Sequence, residues 1–238
     1  MDEINIKGVQ KTSLIDYPEK ICTLVFLSKC NFRCPFCHNP ELVFDEKDVP
    51  DIPVSEFLEF LDEHKRWIDG VCITGGEPTL HAGLIDFMKQ IKSKGLLVKL
   101  DTNGTNPSVI EQAIREGCVD YVAMDIKNSL EKYDETTHAK VNKDNIKKSI
   151  KLLIEYGHKG VIEYEFRSTI IPRIHSENDM NDMAELITGA KRFCIQQFHT
   201  QDKLVDKTFR EEPTYLLKDL ENFKNLFIKH VDEAYIRE

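Results

Sequence analysis

The chain has 238 residues, 41% of them hydrophobic and 31% charged, proportions that suit a globular domain with an ordinary core. Its 32 basic and 41 acidic side chains leave a formal charge of −9, which disfavours a phosphate backbone, so no nucleic acid is expected as a partner. No apolar run approaches the roughly 20 residues that span a bilayer, and Met1-Asp2-Glu3-Ile4-Asn5-Ile6-Lys7 lacks the apolar core of a signal peptide. No membrane partner is expected, and the cytoplasm is the expected compartment. Seven cysteines, three clustered and four scattered, fit metal chemistry better than a disulfide framework.

In chain order, Ile4 to Val9 alternates like an edge strand, and Ser13-Leu14-Ile15-Asp16-Tyr17-Pro18 reads as a turn. The apolar run 23–27 predicts a buried strand. Helices are predicted over 54–68, with Ser55 as cap and Trp67 near the apolar face, over 82–94, stopped by Gly95, and over 107–116, begun by Pro107. Strands fall at 70–74, 96–101 and 119–126. A long polar connection, 128–143, leads to a helix over 144–156 with Gly157 at its end. Strand 161–171, helix 177–188 and strand 193–198 follow. A second polar loop, 200–212, precedes a helix over 214–230 and a last strand at 234–236.

Six apolar strands alternating with amphipathic helices predict a parallel sheet covered by helices. Because a full eight-unit barrel takes about 250 residues, the expected fold class is α/β, an incomplete (β/α)6 barrel. It is read as one domain over 1–238, with a core of about 20–200 and a C-terminal extension of about 213–238.

Polar signatures collect at the strand ends. Cys30-Asn31-Phe32-Arg33-Cys34-Pro35-Phe36-Cys37 follows the first buried strand and Gly75-Gly76-Glu77-Pro78 the next. Asp101-Thr102-Asn103-Gly104, Asp125 with Lys127, Arg167 and His199 mark the others. In a parallel β/α barrel such ends build the active site. Three thiols spaced Cys-x3-Cys-x2-Cys suit an iron–sulfur cluster or zinc. A 4Fe–4S cube held by three cysteines leaves one iron open for a small molecule. A zinc site completed by His38, or a thiol–disulfide pair of Cys34 and Cys37, are the competing readings of that loop.

The cysteine triplet with Gly75-Gly76-Glu77-Pro78 resembles the radical S-adenosylmethionine superfamily. Ser13-Leu14-Ile15-Asp16-Tyr17-Pro18 through Cys34-Pro35-Phe36-Cys37-His38-Asn39-Pro40-Glu41-Leu42 looks like the activating proteins of glycyl radical enzymes. Among these it is closest to the activators of anaerobic ribonucleoside-triphosphate reductase. The likeness runs from about residue 8 to 200. It departs at Lys29 and Glu19, where the family has glycine, and Lys29 is expected to alter the loop's backbone angles.

The resemblance implies that Cys30, Cys34 and Cys37 hold three irons of a 4Fe–4S cluster and that S-adenosylmethionine chelates the fourth. One electron then cleaves S-adenosylmethionine to methionine and a 5′-deoxyadenosyl radical, which takes hydrogen from a glycine of the partner enzyme. It places Gly75, Gly76, Glu77 and Pro78 near the methionine moiety and Asp101 and Asp125 near the ribose, and it counts Asn103 among the cofactor-binding residues. Asp101 and Asp125 alternatively orient neighbours or hold a cation. Lys127 and Arg167 pair with the ligand carboxylate, His199 contacts the adenosyl part and Phe36 packs on adenine. The implied partners are a glycyl radical enzyme and an electron donor such as flavodoxin or ferredoxin. The plainer readings are that Arg167 pairs with a structural carboxylate, that His199 is structural, and that Cys22, Cys72, Cys118 and Cys194 are small core residues.

Overall fold

A computed structural model describes residues 4–45, 48–200 and 202–237. The Met1-Asp2-Glu3 part of the N-terminal reading, one residue of the second polar loop and Glu238 lie outside the described residues. The chain divides into two compact units. One comprises Met1–Asn31, Glu41–Thr102 and Asn106–Val122, the other Phe32–Pro40, Asn103–Thr105 and Ala123–Glu238.

In the first unit, β1 (Ile6–Ser13) pairs antiparallel with β2 (Cys22–Leu27). The short α1 (Pro40–Val43) and α2 (Val54–His64) lead to β3 (Gly70–Gly75), then α3 (Leu84–Ser93), β4 (Leu97–Thr102) and α4 (Pro107–Arg115). Strands β2, β3 and β4 are parallel, and the register sets Leu27 opposite Gly75. Helix α3 buries Leu84, Ile85, Phe87, Met88 and Ile91, the face its apolar spacing predicts.

Helix α2 ends four residues earlier than predicted. Trp67 is 76% exposed, because the turn closing on His64 must release the chain in time for Asp69 to bond Ile21. Its cap is Pro53 with no side-chain bond, so Ser55 does not cap it. Strand β5 (Tyr121–Asp125) begins in this unit and ends in the second.

The second unit holds α5 (Tyr133–Thr137), α6 (Lys143–His158), β6 (Glu163–Ile170), α7 (Glu177–Leu186), β7 (Arg192–Gln197), α8 (Leu217–Phe227) and β8 (Glu233–Arg237). Strands β6, β7 and β8 are parallel. Asn142 caps α6 by accepting from the Asp144 and Asn145 amides, and Ser176 with Asp179 forms a capping box on α7. Helix α8 lies on β7 through the Phe193 and Phe227 rings, stacked 3.9 Å apart.

Both polar connections carry structure that the sequence reading left out, α5 in the first and a 3-10 turn (Lys207–Glu211) in the second. Gly157 does not end α6. It is buried inside the helix, where a Cβ would come within 2.1 Å of the Tyr164 ring, so it permits close helix–strand packing. The eight strands follow one another in chain order, β1 to β8, in one mostly parallel sheet. The expected six strands, the N-terminal edge strand and the last strand account for all eight.

Candidate cofactor site

In the first unit, the end of β2 is tied down by backbone. Ser28 donates to the Asn5 carbonyl at 3.0 Å and Lys29 to the Leu42 carbonyl at 2.8 Å, while Gly76 and Glu77 donate to the Leu27 and Lys29 carbonyls at 2.8 and 2.7 Å. The strand that ends in Gly75-Gly76 therefore clamps the residue preceding Cys30.

Glycine is needed there for backbone packing. A Cβ on Gly76 would lie 2.0 Å from the Lys29 carbonyl oxygen, and one on Gly75 would lie 2.4 Å from the Leu27 backbone. Lys29 itself has φ 65 and Glu19 φ 61. Both adopt the left-handed backbone that favours glycine, at a cost of about 1–2 kcal/mol each. Lys29 thus holds a backbone conformation of the kind that glycine favours.

Glu77 is fully buried. It accepts from the Thr79 amide at 3.1 Å, from the Thr79 hydroxyl and, at 2.8 Å, from the Thr102 hydroxyl of β4. It caps the 3-10 turn (Pro78–Leu80) that Pro78 begins, and so fixes the strand end expected near the methionine moiety. Asp101 is buried on β4 and paired with Lys99 of the same strand.

In the second unit, Asp125 accepts from Arg167 Nε at 2.6 Å and from Lys127 Nζ at 2.9 Å. Arg167 and Lys127, expected at a ligand carboxylate, thus converge on a carboxylate of the chain. Burial pushes the Asp125 carboxyl up, but the two cations outweigh it and hold it well below the carboxylate range. Burial likewise opposes the Lys127 charge, and Asp125 more than restores it, raising that ammonium above its usual value. Tyr133 and His175 frame this trio. His175 accepts from the Ile171 amide on Nδ1, so its Nε2 carries the proton and donates to the Lys127 carbonyl at 2.9 Å.

The pairing has a pH signature. Asp125→Asn should lower the stability of the cluster-free protein by about 3 kcal/mol at neutral pH, by leaving two cations short of a partner. A carboxyl held low contributes in full above its unfolded value near 4 and loses that contribution as pH falls toward its folded value. Urea titrations of both proteins should show a gap that is widest at pH 7 and narrows progressively below about pH 4.

The cysteine loop continues through this unit. Arg33 donates to the Thr137 carbonyl, Cys37 to the Cys34 carbonyl, and Val205 and Asp206 to the carbonyls of Cys37 and Pro35. Phe36 is buried, and Asn103 accepts from both the amide and the hydroxyl of Thr105. His199 is exposed and meets the loop through its backbone, which hydrogen-bonds His38. The His38 ring lies 5.8 Å from Phe198, burial pushes its pKa down, and its Nε2 finds no hydrogen-bond partner.

Cys34 and Cys37 stand as thiols, not as a disulfide. Among the described residues no three His, Cys, Asp or Glu side chains are gathered as a ready metal site. The fit to a cluster rests on the donor set, three soft thiols within eight residues of sequence. The other four cysteines are buried. Burial pushes Cys22 and Cys194 up to about 11 and raises Cys118.

The sequence reading missed Lys99. It sits two residues before Asp101 on a strand, and so on the same face, a signal that period-two alternation carries.

The fold and the cysteine loop define a class of α/β protein built to present soft metal ligands beyond a strand end. Residues 24–187 match the model of the Radical SAM superfamily. The chain belongs to that superfamily and is a radical S-adenosylmethionine enzyme.

It is 34% identical over 233 residues to a protein of Methanocaldococcus jannaschii provisionally named as a glycyl-radical enzyme activating enzyme, covering 98% of this chain and 95% of that one. It is 32% identical over 128 residues to the pyruvate formate-lyase-activating enzyme of Clostridium pasteurianum, about half of each chain (52% and 52%). In fold it is similar to a radical SAM methyltransferase from Sphaerobacter thermophilus, with TM-score 0.68, 15% identity and coverage of 93% and 67%. It is also similar to a domain of a pyruvate-formate lyase-activating enzyme from Bacteroides vulgatus, with TM-score 0.54, 19% identity and coverage of 71% and 99%. Among the described residues no helix is long and apolar enough to cross a membrane.

Proposed function

We propose that the chain is an activase that installs a glycyl radical on a partner enzyme, and that the partner is anaerobic ribonucleoside-triphosphate reductase. The observation that carries the activase reading is the near full-length likeness to the Methanocaldococcus protein, taken with the Ser13–Pro18 segment and the cysteine loop. The whole chain, 1–238, is read as one radical SAM domain. It acts in the cytoplasm on a protein substrate and is reduced by a flavodoxin or ferredoxin.

Cys30, Cys34 and Cys37 would hold a 4Fe–4S cluster, with S-adenosylmethionine completing it. When bound, that pair supplies one-electron cleavage of the sulfonium and a primary carbon radical. The chain's own residues do the positioning. Gly75, Gly76, Glu77 and Pro78 hold the base of the cysteine loop, and their neighbourhood takes the methionine end. Asp101 and Asp125 are assigned to the ribose, and Asn103 is counted among the cofactor-binding residues. Lys127 and Arg167 keep Asp125 ionised and are assigned to the ligand carboxylate. His199 and Phe36 are assigned to the adenosyl part. No side-chain base is needed, because the hydrogen leaves the partner's glycine as an atom.

A second reading keeps the chemistry and changes the partner to pyruvate formate-lyase, favoured by the Clostridium relative. A radical SAM enzyme for a small molecule stands behind both. Anaerobic incubation with each candidate enzyme, followed by electron paramagnetic resonance, tests the choice. A glycyl doublet on the reductase is expected. A doublet only on the lyase moves the partner, and failure to form 5′-deoxyadenosine with full iron and sulfide content overturns the activase reading.

A further inference from the structure

Lys99 has 1% of its surface exposed, on β4 in the first unit. Its ammonium pairs with Asp101, lies 3.7 Å from the Cys72 sulfur and sits 5.9 Å from the centre of the Tyr121 ring. Tyr121 in turn packs against Tyr17, their rings 5.7 Å apart. Taking an ammonium out of water is costly, and an apolar residue would fill the same space without that cost. The sulfur and the ring are soft neighbours that tolerate a cation, and the carboxylate is the only formal charge among the three. The position thus keeps a positive charge where packing alone would prefer none.

The strand-end carboxylates Asp101 and Asp125 are buried or half-buried charges, and each needs a cation nearby. In each unit the chain supplies its own cation: Lys99 at Asp101, and Arg167 with Lys127 at Asp125. We infer that the Lys99 ammonium is a built-in counter-cation for Asp101, standing where a dissolved monovalent ion such as potassium or ammonium would otherwise be needed. The first unit's carboxylate is therefore compensated at any salt composition, and its orientation is set by a covalently tethered charge. Asp101's part in binding S-adenosylmethionine rests on the proposed function; its compensation by Lys99 does not.

Thermal unfolding of the cluster-free protein tests this without cluster or S-adenosylmethionine, so it fails independently of the activase reading. The wild-type midpoint should be the same in potassium, ammonium and choline chloride at equal ionic strength. Lys99→Ala should lose about 10 °C. It should regain part of that loss in ammonium or ethylammonium chloride, but not in choline chloride, as a small cation re-enters beside Asp101. Lys99→Arg should stay indifferent to the choice of cation.

A wild-type midpoint raised by potassium or ammonium relative to choline overturns the inference, as does a Lys99→Ala protein indifferent to ethylammonium. If Lys99→Ala does not fold by itself, its refolding yield in ethylammonium against choline gives the same decision. On the loaded wild-type enzyme, calorimetry should give S-adenosylmethionine affinities within about twofold in potassium and choline. A tenfold or greater loss in choline would count against it.

Discussion

Cys34→Ala, reconstituted anaerobically with iron and sulfide, should carry no stable cluster and form no 5′-deoxyadenosine from S-adenosylmethionine under a strong reductant. The expected loss is complete. In the proposed ligand set three thiolates are all that the protein supplies, and a cube held by two would have two irons without a protein ligand. Cys34 sits at the start of the turn in which its carbonyl accepts the Cys37 amide at 3.1 Å, so the backbone of the loop does not need the sulfur. The variant should therefore keep its far-ultraviolet spectrum and melt within a few degrees of the wild type. Cys118→Ala is the control, a buried thiol in the first unit whose removal should leave iron content unchanged. Retained iron, or retained S-adenosylmethionine cleavage, in Cys34→Ala would mean the ligands lie elsewhere.

Gly76→Ala should act on the same loop without touching a ligand. The added methyl would stand 2.0 Å from the Lys29 carbonyl oxygen and 2.6 Å from its carbon, both backbone atoms that cannot rotate away. Relief requires the end of β2 to part from the end of β3, breaking the bonds that Gly76 and Glu77 donate there. The expected cost is about 3 kcal/mol, with iron content falling in parallel because Lys29 precedes the first cysteine. Gly95→Ala separates this from ordinary glycine effects. Gly95 has φ +80 and nothing within 4 Å of a Cβ, so its alanine meets strain alone, about 1–2 kcal/mol, and should load iron normally. Equal iron loading in both variants would detach the Gly75-Gly76 pair from the cysteine loop.

Strands such as β2 and β3 were legible because each is a short apolar run bounded by turn residues, whereas β1 was read from its alternation. Helix interiors were legible for the same reason, while their ends were not. Trp67 reads as part of an apolar face but lies beyond α2, since the helix stop is fixed by a contact to Ile21 far away in sequence. Gly157 reads as a helix stop, yet it is retained inside α6 for contact with Tyr164, a partner no local pattern announces.

At the candidate site, residue types and strand ends could be read, but pairings could not. Arg167 and Asp125 are 42 positions apart, and Glu77 meets Thr102 across 25. Which cation answers which carboxylate is decided by strand register, and so the sequence reading offered Arg167 either a ligand or a structural carboxylate without naming Asp125, sent Lys127 to a ligand and passed over Lys99.

The buried cysteines bear on repair. A thiol pushed up to about 11, as at Cys22 and Cys194, is ionised at neutral pH in only about one molecule in ten thousand. Oxidation to sulfenic acid and onward proceeds from the thiolate, and so does capture of iron. A chain stripped of its cluster by a brief exposure to air therefore spares Cys22 and Cys194 from both damage and iron capture. Cys22 and Cys194 stay out of that competition, leaving their strands intact for a new cluster to be delivered once the loop thiols are restored.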